Sequence, residues 1–231
     1  AHKAIMQRWM NDNTVKMFAR DWVRQGILNM PAIAQQHNLS ELDGLFQGKP
    51  AILISPGPSL DRNIHELKKA QGRAVLIAPL QSLRRLYKAG VRPDFLLVLD
   101  PTDLSTEPYD FFSDVPDEFL GTLIVGVNCH PNVIRRFRRV YFFAAGGPLD
   151  HWVAQWIGQP LVHLDAASVA ISGLLLARHW GCQPIVLTGQ DLALASDGQR
   201  YAQDAQLNNF TQSRLLRLSG YYGGEVLTPS D

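Results

Sequence analysis

From residue 51 onward, apolar runs of four to six residues alternate with segments of helical spacing, and few folds accommodate that pattern. The runs predict strands over 51–55, 74–78, 95–99, 122–127, 140–143 and 184–188, with helices over 59–70, 81–89, 131–138, 148–157 and 168–180. A stretch such as Phe95-Leu96-Leu97-Val98-Leu99 has no polar residue at alternate positions, so both faces of its strand must be covered. Parallel sheets with helices on both sides meet that demand. The chain is therefore expected to be α/β, with a Rossmann-like, mostly parallel sheet. A last helix is expected over 206–217 and a loop over 220–224.

Residues 1–48 read differently, as a helical lead-in to a domain spanning 49–231. Apolar residues recur there at helical spacing (Ile5, Trp9 and Met10; Val15, Phe18, Ala19 and Trp22), a pattern of packing faces rather than ligand contacts. Gly48, Lys49 and Pro50 punctuate the boundary. The chain begins at Ala1 rather than Met and ends at Asp231 soon after a glycine-rich turn, as expected of a domain taken from a longer protein.

In open α/β sheets ligands bind beyond the carboxyl ends of the strands, so the residues that follow each strand matter most. Here they are polar: Pro56-Gly57-Pro58-Ser59, Asp100-Pro101-Thr102-Asp103, Asn128-Cys129-His130 and Gly189-Gln190-Asp191. The first group turns directly into a helix. Backbone N–H groups of Ser59, Leu60 and Asp61 are then candidates to receive an anion, because a helix N-terminus carries unpaired donors and partial positive charge. The Ser59 hydroxyl can cap the helix or bond a ligand oxygen. Each group also has a purely structural use as a turn or cap, and only together do they favour a polar pocket. Ser168, at the start of an apolar helix behind Asp165-Ala166-Ala167, is a further candidate donor, and Gly146-Gly147-Pro148 is a weaker anion motif.

Lys and Arg total 22 against 21 Asp and Glu, a net charge of +1 that gives no general attraction to nucleic acid. The arginines at 135, 136, 138 and 139 read as a solvated helix end. Two cysteines without ligand spacing argue against a disulfide framework and structural zinc, and with the lack of a signal peptide or membrane span they suggest the cytoplasm. No nucleophile elbow, Walker A loop or metal-binding His motif occurs. No tightly bound cofactor is expected. Mg²⁺ is not indicated by any Asp-x-Asp pair, although Asp100 and Asp103 could supply carboxylates to it. His130, His151 and His163 are candidate bases that nothing in the sequence orients.

Several motifs in order carry a resemblance: Gly57-Pro58-Ser59-Leu60, Arg92-Pro93-Asp94 with Val98-Leu99-Asp100-Pro101, Ser168-Val169-Ala170, Gly181-Cys182 through Gly189-Gln190-Asp191-Leu192-Ala193, and Gly223-Gly224-Glu225-Val226-Leu227-Thr228. Over roughly residues 48–228 the chain resembles the central domain of the Maf (motility-associated factor) flagellin glycosyltransferases, a family related to archaeal 6-hydroxymethyl-dihydropterin pyrophosphokinases. This resemblance implies a nucleotide-sugar-binding domain that transfers a nonulosonic acid, such as pseudaminic or legionaminic acid, from a CMP donor to Ser or Thr of flagellin. By a more distant likeness to bacterial sialyltransferases, Tyr201 matches a tyrosine that steadies the departing CMP phosphate.

On that basis Gly57, Pro58 and Ser59 are expected to shape the donor phosphate site, Asp100 and Asn128 to contact ribose or cytosine, and Gln190 and Asp191 to face the sugar or acceptor, with Leu60, Ser168 and Gly189 as further donor-binding residues. Two positions depart from the family pattern: Ala166-Ala167 replaces a Gly pair, and Tyr201-Ala202 replaces a His-Ala pair. The general base is thus unassigned, with Asp191 one candidate. The rival readings are an ATP- and Mg²⁺-dependent pterin pyrophosphokinase and a flagellin-binding module without catalysis.

Overall fold

A computed structural model of the chain describes residues 2–35, 37–145, 148–158, 160–164, 168–195, 198–205, 214–219 and 225–230. Seven parallel strands form the main sheet: β1 (His37–Asn38), β2 (Ala51–Ile54), β3 (Val75–Pro79), β4 (Phe95–Val98), β5 (Thr122–Gly126), β6 (Val140–Phe143) and β7 (Ile185–Thr188). Their spatial order is β1-β6-β5-β4-β3-β2-β7. The chain steps outward from β2 to β6, then crosses back to lay β7 against the other side of β2. That reversal puts a topological switch point at the β2–β7 junction, where α/β sheets open a crevice at their carboxyl edge.

Burial on both faces follows from the continuous apolar runs. In β3, Val75 and Ile77 join the core cluster on one face, and Leu76 and Ala78 the cluster on the other. One core is closed by α2 (Leu60–Ala70) and α3 (Leu83–Ala89), where the stripe Leu60, Ile64 and Leu67 of α2 is buried at i, i+4 and i+7. On the opposite face α6 (Val169–His179) packs against β2, β3 and β4 and contributes Leu176 and Ala177, with Trp180 fully buried just beyond it. Trp180 lies 4.8 Å from the Phe95 ring centroid and 4.9 Å from that of Phe46. The expected α/β architecture is borne out, with strand ends within a residue or two of those read from the sequence.

Three details differ from the sequence reading. The lead-in is one long helix, α1 (His2–Gln35), and β1 immediately after it pairs with β6, so this segment also supplies the far edge of the sheet. The expected helices shorten in places, most of all α4 (Pro131–Arg135). The helix expected over 206–217 is not formed across its described part: Arg214–Ser219 is a strand, β8, paired antiparallel with β9 (Glu225–Ser230). Leu and Arg are good helix formers, but such propensity is a small term, and cross-strand pairing with a segment containing Val226 and Thr228 overrides it. Residues 146–147, 165–167 and 206–213 and the loop expected over 220–224 lie outside the described residues. Among the described residues no helix is long and apolar enough to cross a membrane.

Helix α1 packs against α4 and α5 (Pro148–Ile157) and is anchored by a buried polar contact. Asn29 Nδ2 donates to the carbonyls of Val127 and Cys129 at 2.9 and 2.7 Å, holding the loop that leaves β5. Replacing it with alanine leaves two buried acceptors without their donor, a loss of roughly 2 kcal/mol. Asn29→Ala is thus expected to lower the melting temperature by about 4–8 °C, measured by circular dichroism. A shift within 1 °C would show that these bonds contribute nothing.

Candidate functional site

At the carboxyl edge of β7, β2, β3 and β4 lies a cleft of about 780 Å³. The sequence directs seven of its lining residues there. Gly57 follows β2, Asp100 follows β4, Gly189, Gln190 and Asp191 follow β7, Ser168 precedes α6, and Tyr201 comes from the later loop; all line this one cavity.

The β2–β7 junction is closely built. The Ser55 N–H donates to Thr188 O and the Gly57 N–H to Gly189 O, both at 2.8 Å, so the two strand ends run on together past the sheet. A side chain at Gly57 would collide with the Asp191 carboxylate and the Gly189 carbonyl. The Ser55 hydroxyl donates to Gln190 Oε1 at 2.6 Å, which orients the amide.

The α2 N-terminus does not offer the amides expected of it. Asp191 Oδ2 accepts the Ser59 N–H at 2.8 Å, the Leu60 N–H goes to Gly57 O and the Asp61 N–H to Pro58 O. A carboxylate drawn from 132 residues along the chain therefore occupies the position in which a phosphate was expected. Leu60 itself is fully buried in the core and cannot meet a ligand, while Pro58 and Ser59 do not line the cleft. Ser59 makes no side-chain cap.

Asn128 is also displaced from its expected role. It follows β5, one strand beyond the cleft, and its Oδ1 is buried over Gly126 with no hydrogen-bond partner among the described residues. Asp103 is committed to its own loop: Oδ1 accepts from Ser105 N and Oγ, and Oδ2 from Asn132 Nδ2 at 2.6 Å. Burial opposes its ionisation, but the bonds from Ser105 and Asn132 outweigh burial and hold the carboxyl below the ordinary range. Of the Asp100/Asp103 pair only Asp100, which accepts the Thr102 N–H at 2.8 Å, lines the cleft, while Asp103 is held within its own loop. Among the described residues no cluster of three or more metal-ligating side chains occurs.

None of the candidate histidines lines the cleft: His130 caps α4, and His151 and His163 lie beside each other elsewhere. Burial, reinforced by the Asp100 charge, pushes the Cys129 thiol far above its usual range, so Cys129 is no nucleophile.

Sequence reasoning missed several contributors, Gln81 just after β3 among them. Ser55 was passed over as a strand residue, Phe18 was assigned to packing, and Tyr109 and Arg200 stood outside any strand end, yet all line the cleft. Only Arg200, next to Tyr201, stood beside a motif that could have flagged it. The loop carrying this pair is pinned: the Ala202 N–H donates to Pro56 O at 2.8 Å and the Gln203 N–H to Asp61 Oδ2 at 2.9 Å, while Arg85 holds Asp61 from the far side at 2.6 Å.

The arginines expected on a helix end gather with Arg92 around a second cleft, of about 880 Å³, at the amino edge of the sheet. Arg136 is paired with Asp117 at 2.6 Å and Arg135 with Asn132 at 2.8 Å. The carboxyl edge is the better candidate, because it alone joins the switch point to a convergent set of polar side chains.

Comparison with known proteins gives two findings. The family model described as 6-hydroxymethylpterin diphosphokinase MptE-like matches residues 24–197. Among solved structures, that of the MAf glycosyltransferase from Magnetospirillum magneticum AMB-1 is similar with a TM-score of 0.59 and 26% identity, covering 80% of this chain. The match spans 28% of that longer protein. No curated protein matches.

Proposed function

The chain belongs to the 6-hydroxymethylpterin diphosphokinase MptE-like family, and from that premise we propose that it is a glycosyltransferase domain using a CMP-activated nonulosonic acid. The acceptor in this reading is a Ser or Thr hydroxyl of flagellin, and the reaction serves flagellum assembly and motility from the cytoplasm. The observation that carries it is the likeness to the MAf glycosyltransferase across four-fifths of the chain.

The cleft can be read residue by residue on this basis. Asp100 accepts hydrogen bonds from ribose hydroxyls, and the Nε2 of Gln190 donates to sugar or acceptor oxygens. Ser168 and the close-packed backbone at Gly57 and Gly189 shape the floor. In transfer, the acceptor oxygen bonds to the anomeric carbon as the bond to the CMP phosphate breaks and the phosphate oxygen keeps the electron pair. Tyr201 donates its phenolic proton as a hydrogen bond to that developing charge. Asp191 takes the acceptor proton on Oδ1 while Oδ2 stays on the Ser59 amide.

A second reading rests on the family description itself: transfer of diphosphate from ATP to a pterin. It calls for Mg²⁺, for which the cleft offers Asp100 but not Asp103. A thermal-shift comparison separates the two. With EDTA present, CMP at 100 times its Kd is expected to stabilise the protein by about 2.7 kcal/mol, a rise of roughly 5–11 °C, while ATP gives little. Stabilisation by ATP with Mg²⁺ alone, with no response to CMP, would favour the diphosphokinase.

A further inference from the structure

Any nucleotide bound at the carboxyl edge brings a phosphate whose charge must be met, and the cleft is poorly supplied. Its carboxylates, Asp100 and Asp191, repel an anion, and Arg200 is the one cation among its described lining residues. The α2 amides that could have served are closed by Asp191 and by the turn itself. The first turn of α6 also borders the cleft, but a helix end contributes only about half a charge.

We propose that Arg200 is the residue that binds the nucleotide phosphate. The inference rests on the reading of this cleft as a nucleotide site. Arg200 is exposed and makes no hydrogen bond or ion pair among the described residues, and its guanidinium carries five N–H donors that suit a phosphate. Its backbone is nevertheless well placed. Ala195 and Gln199 close a turn just before it, with the Ala195 N–H donating to Gln199 O at 2.9 Å, and Ala202 is tied to Pro56 just after it. The guanidinium carbon stands over the Tyr201 ring, 5.5 Å from its centroid, so the charged fork and the phenol are immediate neighbours. Two donors of different kinds can then share one phosphate: Arg200 fixes it by a bidentate, charge-assisted contact, and Tyr201 adds a single hydrogen bond.

The test is calorimetric binding to the full chain of CMP against cytidine, and of ATP against adenosine, for wild type, Arg200→Gln and Arg200→Lys. Arg138→Gln, at the opposite edge of the sheet, is the control. Losing a charge-assisted hydrogen bond predicts a roughly 10- to 100-fold weaker nucleotide affinity in Arg200→Gln. Nucleoside binding should be unchanged, Arg200→Lys should recover part of the loss, and Arg138→Gln should behave as wild type. Unchanged nucleotide affinity in Arg200→Gln, an equal loss for the nucleoside, or no nucleotide binding by any variant would overturn the proposal. If wild type takes ATP rather than CMP, the glycosyltransferase reading falls, and Arg200 is judged by the ATP and adenosine pair.

Discussion

Gly189→Ala is expected to be among the most damaging single changes in the protein, lowering its stability by about 3 kcal/mol or more and its melting temperature by roughly 6–12 °C. Two costs combine. Gly189 has φ of +69°, where an L side chain is disfavoured by roughly 1–2 kcal/mol. Its added methyl would also run into the carbonyl group of Ser55 and sit 3.2 Å from Leu60 Cβ. Neither neighbour is the movable end of a side chain. Relief therefore means separating the ends of β2 and β7, where the cleft is built. Gly72 is the internal control: its φ is +73° but nothing lies within 4 Å of an added methyl, so Gly72→Ala incurs the backbone cost alone. Thermal melts of both variants decide the matter, and a Gly189→Ala protein as stable as Gly72→Ala would show that the junction is looser than described.

Asp191→Asn is expected to separate two functions of one carboxylate. As a structural group, Asp191 accepts the Ser59 N–H, and an asparagine oxygen can do the same. The fold should survive with a melting temperature within a few degrees of wild type. As the proposed base it is lost, since an amide takes no proton. Sugar transfer from a CMP donor to flagellin is then expected to fall by about 10²- to 10⁴-fold in kcat, with little change in donor KM. Transfer at the wild-type rate by a stably folded Asp191→Asn protein would leave Asp191 as a helix cap only. Asp191→Ala, which removes the cap as well, should add a stability loss of about 1–3 kcal/mol to the same kinetic defect.

The architecture was legible because its signal is local and strong. Runs such as Phe95 to Val98 are buried on both faces, and only a covered parallel sheet uses such runs repeatedly. Since the ligand edge of that sheet follows from strand direction, Gly57, Asp100, Gly189, Gln190 and Asp191 could be brought to one place before any coordinates. What could not be read was which of them would engage each other. The pairing of Asp191 with Ser59 spans 132 residues, and it closes an amide site that the local Pro-Gly-Pro-Ser sequence offers openly. Asn128 failed for a related reason: its position after β5 was right, but the order of strands places β5 beyond the cleft wall. Phe18 carries the spacing of a packing residue and is nonetheless part of the wall, because α1 crosses to the sheet and is fixed there by Asn29. At β8, side-chain preference pointed to a helix and a distant partner strand decided otherwise.

The central claim is that the carboxyl-edge cleft holds a cytidine nucleotide. A crystal structure with bound CMP tests it most directly. The account predicts the ribose against Asp100 and the phosphate between Arg200 and Tyr201, with the Ser59 amide still on Asp191. CMP seated instead among the arginines of the amino-edge cleft, or a phosphate that displaces Asp191 from the Ser59 amide, would contradict it.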